Sequence, residues 1–403
     1  MSGGDRTFTK INVTIDGVAL NDSWHAINIY QNLDSMSWSC DMGIIDGTNM
    51  LEELPIQHGS ELKINIVTED NCSTDDDVEF VFYIYKIADK ISANQNVETY
   101  KLHGVSKQFL LNNTVRINEK YKTQKVSDVI KEISEKSFPD MRVNIASESD
   151  NSNDLLISNW SPFISIAWLM KQAHKDGRAD FMFFQSDHDE MTLETIESMY
   201  TDSKNEIGEV ITYKIENIEG EINHYNIIKH IWDHVDVQQN LQNGYYKSTV
   251  TSFDFFNKSW DETVYSHGDD SKEDAKIAPQ WKDALFNNAE SAAISFVPKN
   301  PKLYDGENMY NDADKWLPSR RAILQRLDTE KFSAQLRGSV GTYKWLGKHV
   351  YIEMPSNNET KGDFYSTFRR GFYLVTSVVH HITPSMYVNN YEFVKVRIEE
   401  GEQ

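Results

Sequence analysis

Two stretches decide how this chain folds: FYIYKIADKISANQNVETYKLHGV, Phe82–Val105, and FYLVTSVVHHITPSMYVNNYEFVKVR, Phe372–Arg397. Both open on Phe-Tyr and an aliphatic residue, run on as a strand, turn, and return on a second aromatic strand. Phe82-Tyr83-Ile84 lines up with Phe372-Tyr373-Leu374, Ile91-Ser92 with Ile382-Thr383, Val97 with Val388, and Tyr100 with Tyr391. The offset is about 290 residues in the first strand and about 291 afterwards, a one-residue slip at the turn. Upstream, Leu54 to Val67 has an echo in Trp345 to Met354, where a glycine turn (Gly59 or Gly347) precedes an alternating strand. Strands with aromatics resemble one another by chance. Here order, turn and strand spacing agree together, which points to one β-barrel present twice.

Working outward, the first hundred residues read as about seven strands, the pattern of a barrel or sandwich. Lys10 to Ile15 alternates and ends at Asp16-Gly17; Ala26 to Tyr30 follows; Ser35 to Met42 puts Met36, Trp38, Cys40 and Met42 on one face. Glu61 to Val67, Phe80 to Ala88 and Glu98 to Val105 complete the set. After Ser106 the period changes. Ser127 to Lys136 predicts a helix with Val129, Ile130 and Ile133 on one face, and Ser147 to Asp154 a polar link. Ser161 reads as a cap, Pro162 as the first turn, Phe163 to His174 as a helix, and Gly177 as its C-terminal glycine. Asp180 to Gln185 and Met191 to Ile196 make a hairpin through Asp187-His188-Asp189. Strands resume from Val210, through Tyr213, Ile215 and Ile218, then Ile227 to Val235. Residues 237–318 carry aromatic strands at Tyr245-Tyr246, Phe253 and Phe255-Phe256, a polar stretch from His267 to Lys276, and a long loop from Asn300 to Asp314. Ser319 then caps a helix to about Leu327, and Phe332 to Arg337, His349 to Met354, Phe372 to His380 and Asn390 to Ile398 finish as strands.

Composition narrows the function. The net charge of -22 argues against broad affinity for phosphate backbones, because counterion release needs clustered Lys and Arg. Acidic walls suit DNA that must slide past without sticking, although plain solubility is the simpler reading of the charge. No run approaches the roughly 20 apolar residues of a membrane helix. Met1-Ser2-Gly3-Gly4-Asp5 lacks the features of a signal peptide, which predicts a chain made and first folded in a cytoplasm. Cys40 and Cys72 could pair, but two reduced thiols are the plainer reading, and no pattern suggests a disulfide framework or a thiolate zinc site.

The arrangement resembles the baseplate hub protein of contractile-tailed (myovirus) phages, a family related to the hub part of type VI secretion spike proteins. Three regions carry the resemblance. They are Leu54-Pro55-Ile56-Gln57-His58-Gly59-Ser60-Glu61-Leu62-Lys63-Ile64; Asn159-Trp160-Ser161-Pro162-Phe163 with its helix and Phe181-Met182-Phe183-Phe184; and the C-terminal run from the Ser319 helix to Gly371-Phe372-Tyr373-Leu374-Val375-Thr376 with His380. The order of elements matches over nearly the whole chain, and residues 237–318 give no match. The resemblance implies an α+β, mainly β chain with two similar tube-type antiparallel β-barrels and an inserted α/β domain. On that reading 1–106 form the first barrel, 107–205 the α/β domain, joined by 237–318, and 206–236 with 319–403 the second barrel. It further implies a homotrimeric, pseudo-sixfold ring that continues the tail tube and seats the central spike protein. Its partners would be a tail tube or tube-initiator protein and other baseplate proteins, in a virion tail baseplate assembled in the host cell cytoplasm. A hub of another contractile injection system is an alternative.

Candidate chemical sites are weak. His224, His230 and His234 recur along an expected strand, but an offset of four on a strand spans roughly 13 Å, too far for one ion. His380-His381 falls on opposite strand faces. Asp75-Asp76-Asp77 fits no EF-hand spacing and reads as a solvated turn. Asp187, Asp189 and Glu190 could suggest a carboxylate pair for glycoside hydrolysis, but acids at a polar hairpin tip read as solvated. There is no P-loop, Gly-x-Ser-x-Gly, dinucleotide or His-Glu-x-x-His motif. The expectation is a structural protein without catalytic residues, metal or cofactor. A carbohydrate- or ligand-binding β protein, on Trp24, Trp260 and Trp316 as exposed rings, is the competing class.

Overall fold

The computed structural model describes residues 10–20, 23–48, 50–53, 56–67, 77–94, 97–213, 225–232, 236–254, 258–266, 293–299, 313–329, 331–354 and 369–395. Several sequence expectations fall outside them: Cys72, most of the acidic loop before Asp77, Ile215, Ile218, His224, His234, Phe255-Phe256, His267 to Lys276 and most of the 300–314 loop.

In chain order the first strands are β1 (Lys10–Ile15), β2 (Val18–Ala19), β3 (Trp24–Asn32) and β4 (Ser39–Asp46). A short helix α1 (Met50–Glu53) leads to β5 (Glu61–Val67), β6 (Asp77–Asn94) and β7 (Val97–Val105). Alternation places the core as expected. Leu62, Ile64 and Ile66 of β5 and Cys40, Met42 and Ile44 of β4 are fully buried. They join Trp38, Phe80, Phe82 and Leu102 in one cluster. Met36 goes the other way and packs on the helical core below.

The second part runs α2 (Lys107–Thr114), β8 (Ile117–Lys125), α3 (Val126–Ser137), β9 (Arg142–Ile145), β10 (Ser152–Trp160), α4 (Pro162–Met170), β11 (Phe181–Asp187), β12 (Glu190–Thr195) and α5 (Ile196–Thr201). Val129, Ile130 and Ile133 of α3 meet Ile166 and Leu169 of α4 and Phe181 and Phe183 of β11. Met182 and Phe184, on the other face of β11, enter a separate cluster with Leu346, Leu374 and Val394. That two-sided burial explains the unbroken apolar run. Three expectations here are corrected. Ser161 makes no side-chain cap; the N–H of Phe163 instead donates to Oδ1 of Asn112 on α2 at 2.8 Å. Helix α4 stops at Met170, and Gly177 serves a turn in which Lys175 and Arg178 exchange two 2.8 Å backbone bonds, with φ of 77°. The polar link is packed: Ser149 Oγ accepts from the N–H of Ser127 at the start of α3, and β10 begins at Ser152.

The third part runs β13 (Glu206–Thr212), β14 (Ile227–Trp232), α6 (Val237–Gln242), β15 (Lys247–Asp254), β16 (Ser259–Ser266) and β17 (Ala293–Lys299). It continues with α7 (Ala313–Thr329), β18 (Lys331–Arg337), β19 (His349–Glu353), β20 (Gly371–Thr383) and β21 (Met386–Lys395). Helix α7 starts six residues before the expected Ser319 cap and carries Pro318 inside it, so the proline misplaced the boundary. Strands β15, β16 and β17 form their own three-stranded sheet.

The chain is mainly β, with several sheets whose pairings are mostly antiparallel and a helical cluster. The largest sheet has thirteen strands in the path β14-β18-β21-β20-β3-β4-β7-β6-β5-β1-β2, with β19 joining β20 and β13 joining β19. Among the described residues no sheet closes on itself.

Candidate assembly site

The two hairpins of the repeat, β6–β7 and β20–β21, share a backbone frame. Gly59 N–H donates to Ile84 O at 2.7 Å, Ile84 N–H to Ser60 O at 2.9 Å, and Ser60 N–H to Gln57 O at 3.1 Å. Gly347 N–H donates to Val375 O at 3.0 Å, Val375 N–H to Lys348 O at 2.8 Å, and Lys348 N–H to Trp345 O at 3.0 Å. Both glycines sit at positive φ, 94° and 75°, where a side chain is strained. A bulge follows at once in each outgoing strand, between Ile84 and Lys86 and between Val375 and Ser377. The return strands are flanked alike: β7 by β4 and β3, β21 by β18 and β14. Even the ladder shift of β3, between Trp24 and Ala26, repeats in β14 between Ile227 and Lys229.

This frame corrects the residue equivalence. Val375, not Leu374, holds the place of Ile84. A further irregularity between Ala88 and Ile91 has no counterpart in β20, so Ile91 stands where His381 does and Tyr100 where Asn389 does. Matching aromatic to aromatic slid the alignment across a bulge, which adds a residue without announcing itself in the alternation.

The halves meet where β3 pairs antiparallel with β20, from Ser377 opposite Asn32 to Ile382 opposite Ile27. Asn28 stands opposite His381, and their side chains bond at 2.6 Å. Beside them His380 is fully buried, 2.8 Å from the Tyr387 hydroxyl and packed on Phe80. Burial drives its pKa down to about 3, so it stays neutral. The His380-His381 pair is therefore a packing and seam pair.

At the β11–β12 tip Asp189 is exposed, as the sequence leads one to expect, while its neighbour His188 turns inward and packs into the first half. The His188 ring lies against Phe80, Tyr343 and Trp38, with centroids 4.9, 4.8 and 5.2 Å away. Buried Gln185 takes hydrogen bonds on Oε1 from Trp38 N–H (2.9 Å), Ser106 Oγ (2.9 Å) and Gln108 Nε2 (2.6 Å), and its carbonyl accepts from Trp38 Nε1. No motif flagged this joint; the only signal was a glutamine ending an apolar strand. Burial raises the cost of ionising Asp187, but bonds from His188 and the charge of Lys344 outweigh it and hold its carboxyl at about 2. Asp189 makes a two-point bond to Arg142, and Glu190 accepts from Ser186 Oγ. Asp187 is therefore ionised well below neutrality and holds no proton to donate there.

Elsewhere, His230 packs edge-on to Tyr213 at 5.0 Å on β14, and its expected companions lie outside the described residues. Among the described residues no group of three His, Cys, Asp or Glu side chains gathers as a metal cluster. Trp24 and Trp316 are buried, Trp316 stacking on His174 at 4.6 Å; Trp260 alone of the three flagged rings is exposed. Cys40 is a buried free thiol whose pKa burial pushes up. No described helix is long and apolar enough to cross a membrane.

No known family pattern matches this chain, and no curated protein does. Solved structures do. The tail protein from Neisseria meningitidis MC58 is 11% identical with a TM-score of 0.59, over 97% of this chain and 97% of that one. The 43 kDa tail protein of prophage MuSo2 from Shewanella oneidensis is 11% identical with a TM-score of 0.60, over 96% of this chain and 98% of that one. A component of the Escherichia coli type VI secretion system is 10% identical with a TM-score of 0.49, over 97% of this chain and 78% of that one. The chain thus shares the fold of the Neisseria and Shewanella proteins. The likeness to both runs nearly end to end.

Proposed function

We propose that this chain is the structural baseplate hub of a contractile phage tail. It works as a homotrimer whose two barrels per chain make a pseudo-sixfold ring between tail tube and central spike. The observation that carries this reading is the repeated frame: two hairpins with the same glycine turn, the same three backbone bonds and the same flanking strands. One chain then offers two similar units, and three chains offer six, which fits a threefold spike to a sixfold tube. The end-to-end fold likeness to two tail proteins supports it. On this reading the chain is not an enzyme. It sits in the virion baseplate after assembly in the host cytoplasm, touches spike, tube and other baseplate proteins, and lets DNA pass an acidic bore without binding it.

Electron microscopy of the purified chain, alone and with its spike protein, is the test. A threefold ring with a central hole is the expected result. A monomer by light scattering at every concentration, with and without the spike, overturns the proposal. One observation favours a second reading, a carbohydrate-binding β protein: Trp260 and Phe296 lie 62% and 72% exposed on the sheet of β15, β16 and β17. A glycan-array signal that disappears in Trp260→Ala supports that reading, and a blank array ends it.

A further inference from the structure

The seam between the halves is used once inside the chain, yet the repeat supplies its parts twice. Strand β14 is the counterpart of β3, because Trp232 pairs with Phe332 as Ile29 pairs with Cys40. Ile231 therefore holds the place of Asn28. Strand β6 is the counterpart of β20, and Ile91 holds the place of His381. Inside the chain β3 covers the edge of β20. No described strand covers the matching edge of β6, and among the described residues β14 pairs only with β18.

Burial follows this difference. Thr376, Ser377, Val378, His380 and Ile382 of β20 are all buried. On β6, Tyr85 is 42% and Ile91 62% exposed; on β14, Ile228 is 49% and Ile231 65% exposed. Several of the chain's exposed large apolar side chains thus sit on the two edges that lack the internal seam's partner.

We propose that β14 of one copy of this chain pairs antiparallel with β6 of the next, along its Tyr85–Ile91 segment. Ile231 then stands opposite Ile91, as Asn28 stands opposite His381 within the chain. The internal seam is pinned by a polar pair and the external one by two isoleucines, which leave water only on assembly. Each Cβ pair of this kind lies about 4.5–5.5 Å apart across an antiparallel ladder. The two edges differ, so the contact is head-to-tail and propagates until it closes. This rests on the ring reading above and names its seam.

The test is oxidation of full-length Ile91→Cys/Ile231→Cys in a Cys72→Ala background at a concentration where light scattering gives the assembled species. Covalent multimers that reductant reverses are expected from the double variant. Each single variant should stay a monomer on a denaturing gel, because the seam brings unlike residues together. Assembly without cross-linking in the double variant, or equal cross-linking in a single variant, overturns the seam and leaves the ring standing. A chain that never assembles overturns both. Ile231→Arg gives an independent reading: loss of the assembled species with unchanged far-ultraviolet circular dichroism is expected, and a persisting assembly counts against the seam.

Discussion

The β6–β7 and β20–β21 hairpins have the same glycine turn, bulge and flanking strands, yet β20 is buried over a stretch where β6 lies open. The covered copy carries Val378, Val379 and His380; the open copy carries Lys86, Asp89 and Lys90 among its apolar residues. Charged residues on an edge strand discourage indiscriminate pairing. The backbone frame is thus common property of the two halves, whereas side-chain identity records which strand lies alongside.

The largest expected difference lies between the two isoleucines that sequence similarity equates. Ile382 is fully buried in the first core. Ile382→Asp should cost more than about 4 kcal/mol or prevent folding, because it buries an unpaired charge. Ile91→Asp in the unassembled chain should stay within about 0.5 kcal/mol. Urea denaturation of both variants checks it, and equal losses would mean that the two positions share an environment after all. Next comes the Gln185 joint. Gln185→Leu strands the donors of Trp38, Ser106 and Gln108, at a cost of roughly 3 kcal/mol by the same measurement.

Acid separates the halves further. His380 has no ionisable counterpart at the matching point of β6 except solvent-facing Asp89 and Lys90. In the unfolded chain a histidine takes up a proton near pH 6.5; buried His380 resists until about 3. The unfolded state then binds the extra proton, so stability is full above about pH 6.5 and falls as pH drops towards 3. Between pH 7.5 and 4.5 the loss from this group should be about 2–3 kcal/mol. His380→Gln should flatten that part of a urea-midpoint profile, and an unchanged profile would place the acid sensitivity elsewhere.

Much of this architecture was legible because alternation and turn glycines act locally. The strands from Lys10 to Ile15, Glu61 to Val67 and Phe332 to Arg337, and the apolar face of α3, follow from period alone. What escaped depends on long-range partners. Asn112 caps α4 from another helix, which no reading of Ser161-Pro162 reveals. Trp24 and Trp316 look like exposed rings until Trp24 joins the first core and Trp316, itself on α7, stacks on His174. The Asp187-His188-Asp189 tip looks polar and solvated, but its histidine ring packs against Phe80 and Tyr343. The seam was invisible because its edges are defined by pairing, not by composition.

The smallest effects come from the paired glycines, and they show how far the two copies have drifted. At Gly59 an added Cβ meets nothing within 4 Å, so only backbone strain at φ of 94° opposes a side chain. Gly59→Ala should cost about 1 kcal/mol. At Gly347, with φ of 75°, the same Cβ lies 2.8 Å from Phe184 Cζ and 3.3 Å from Cε2. Phe184 is buried in the cluster that joins β11 to the second half, so its ring has little room to retreat. Gly347→Ala should therefore cost about 1 kcal/mol more than Gly59→Ala. Phe184→Leu, which shortens the opposing side chain, should shrink that difference in a double-mutant cycle. If the two alanine variants lose the same stability and the cycle shows no coupling, the turn is limited by backbone strain alone, and the helical part does not grip the second copy at this point.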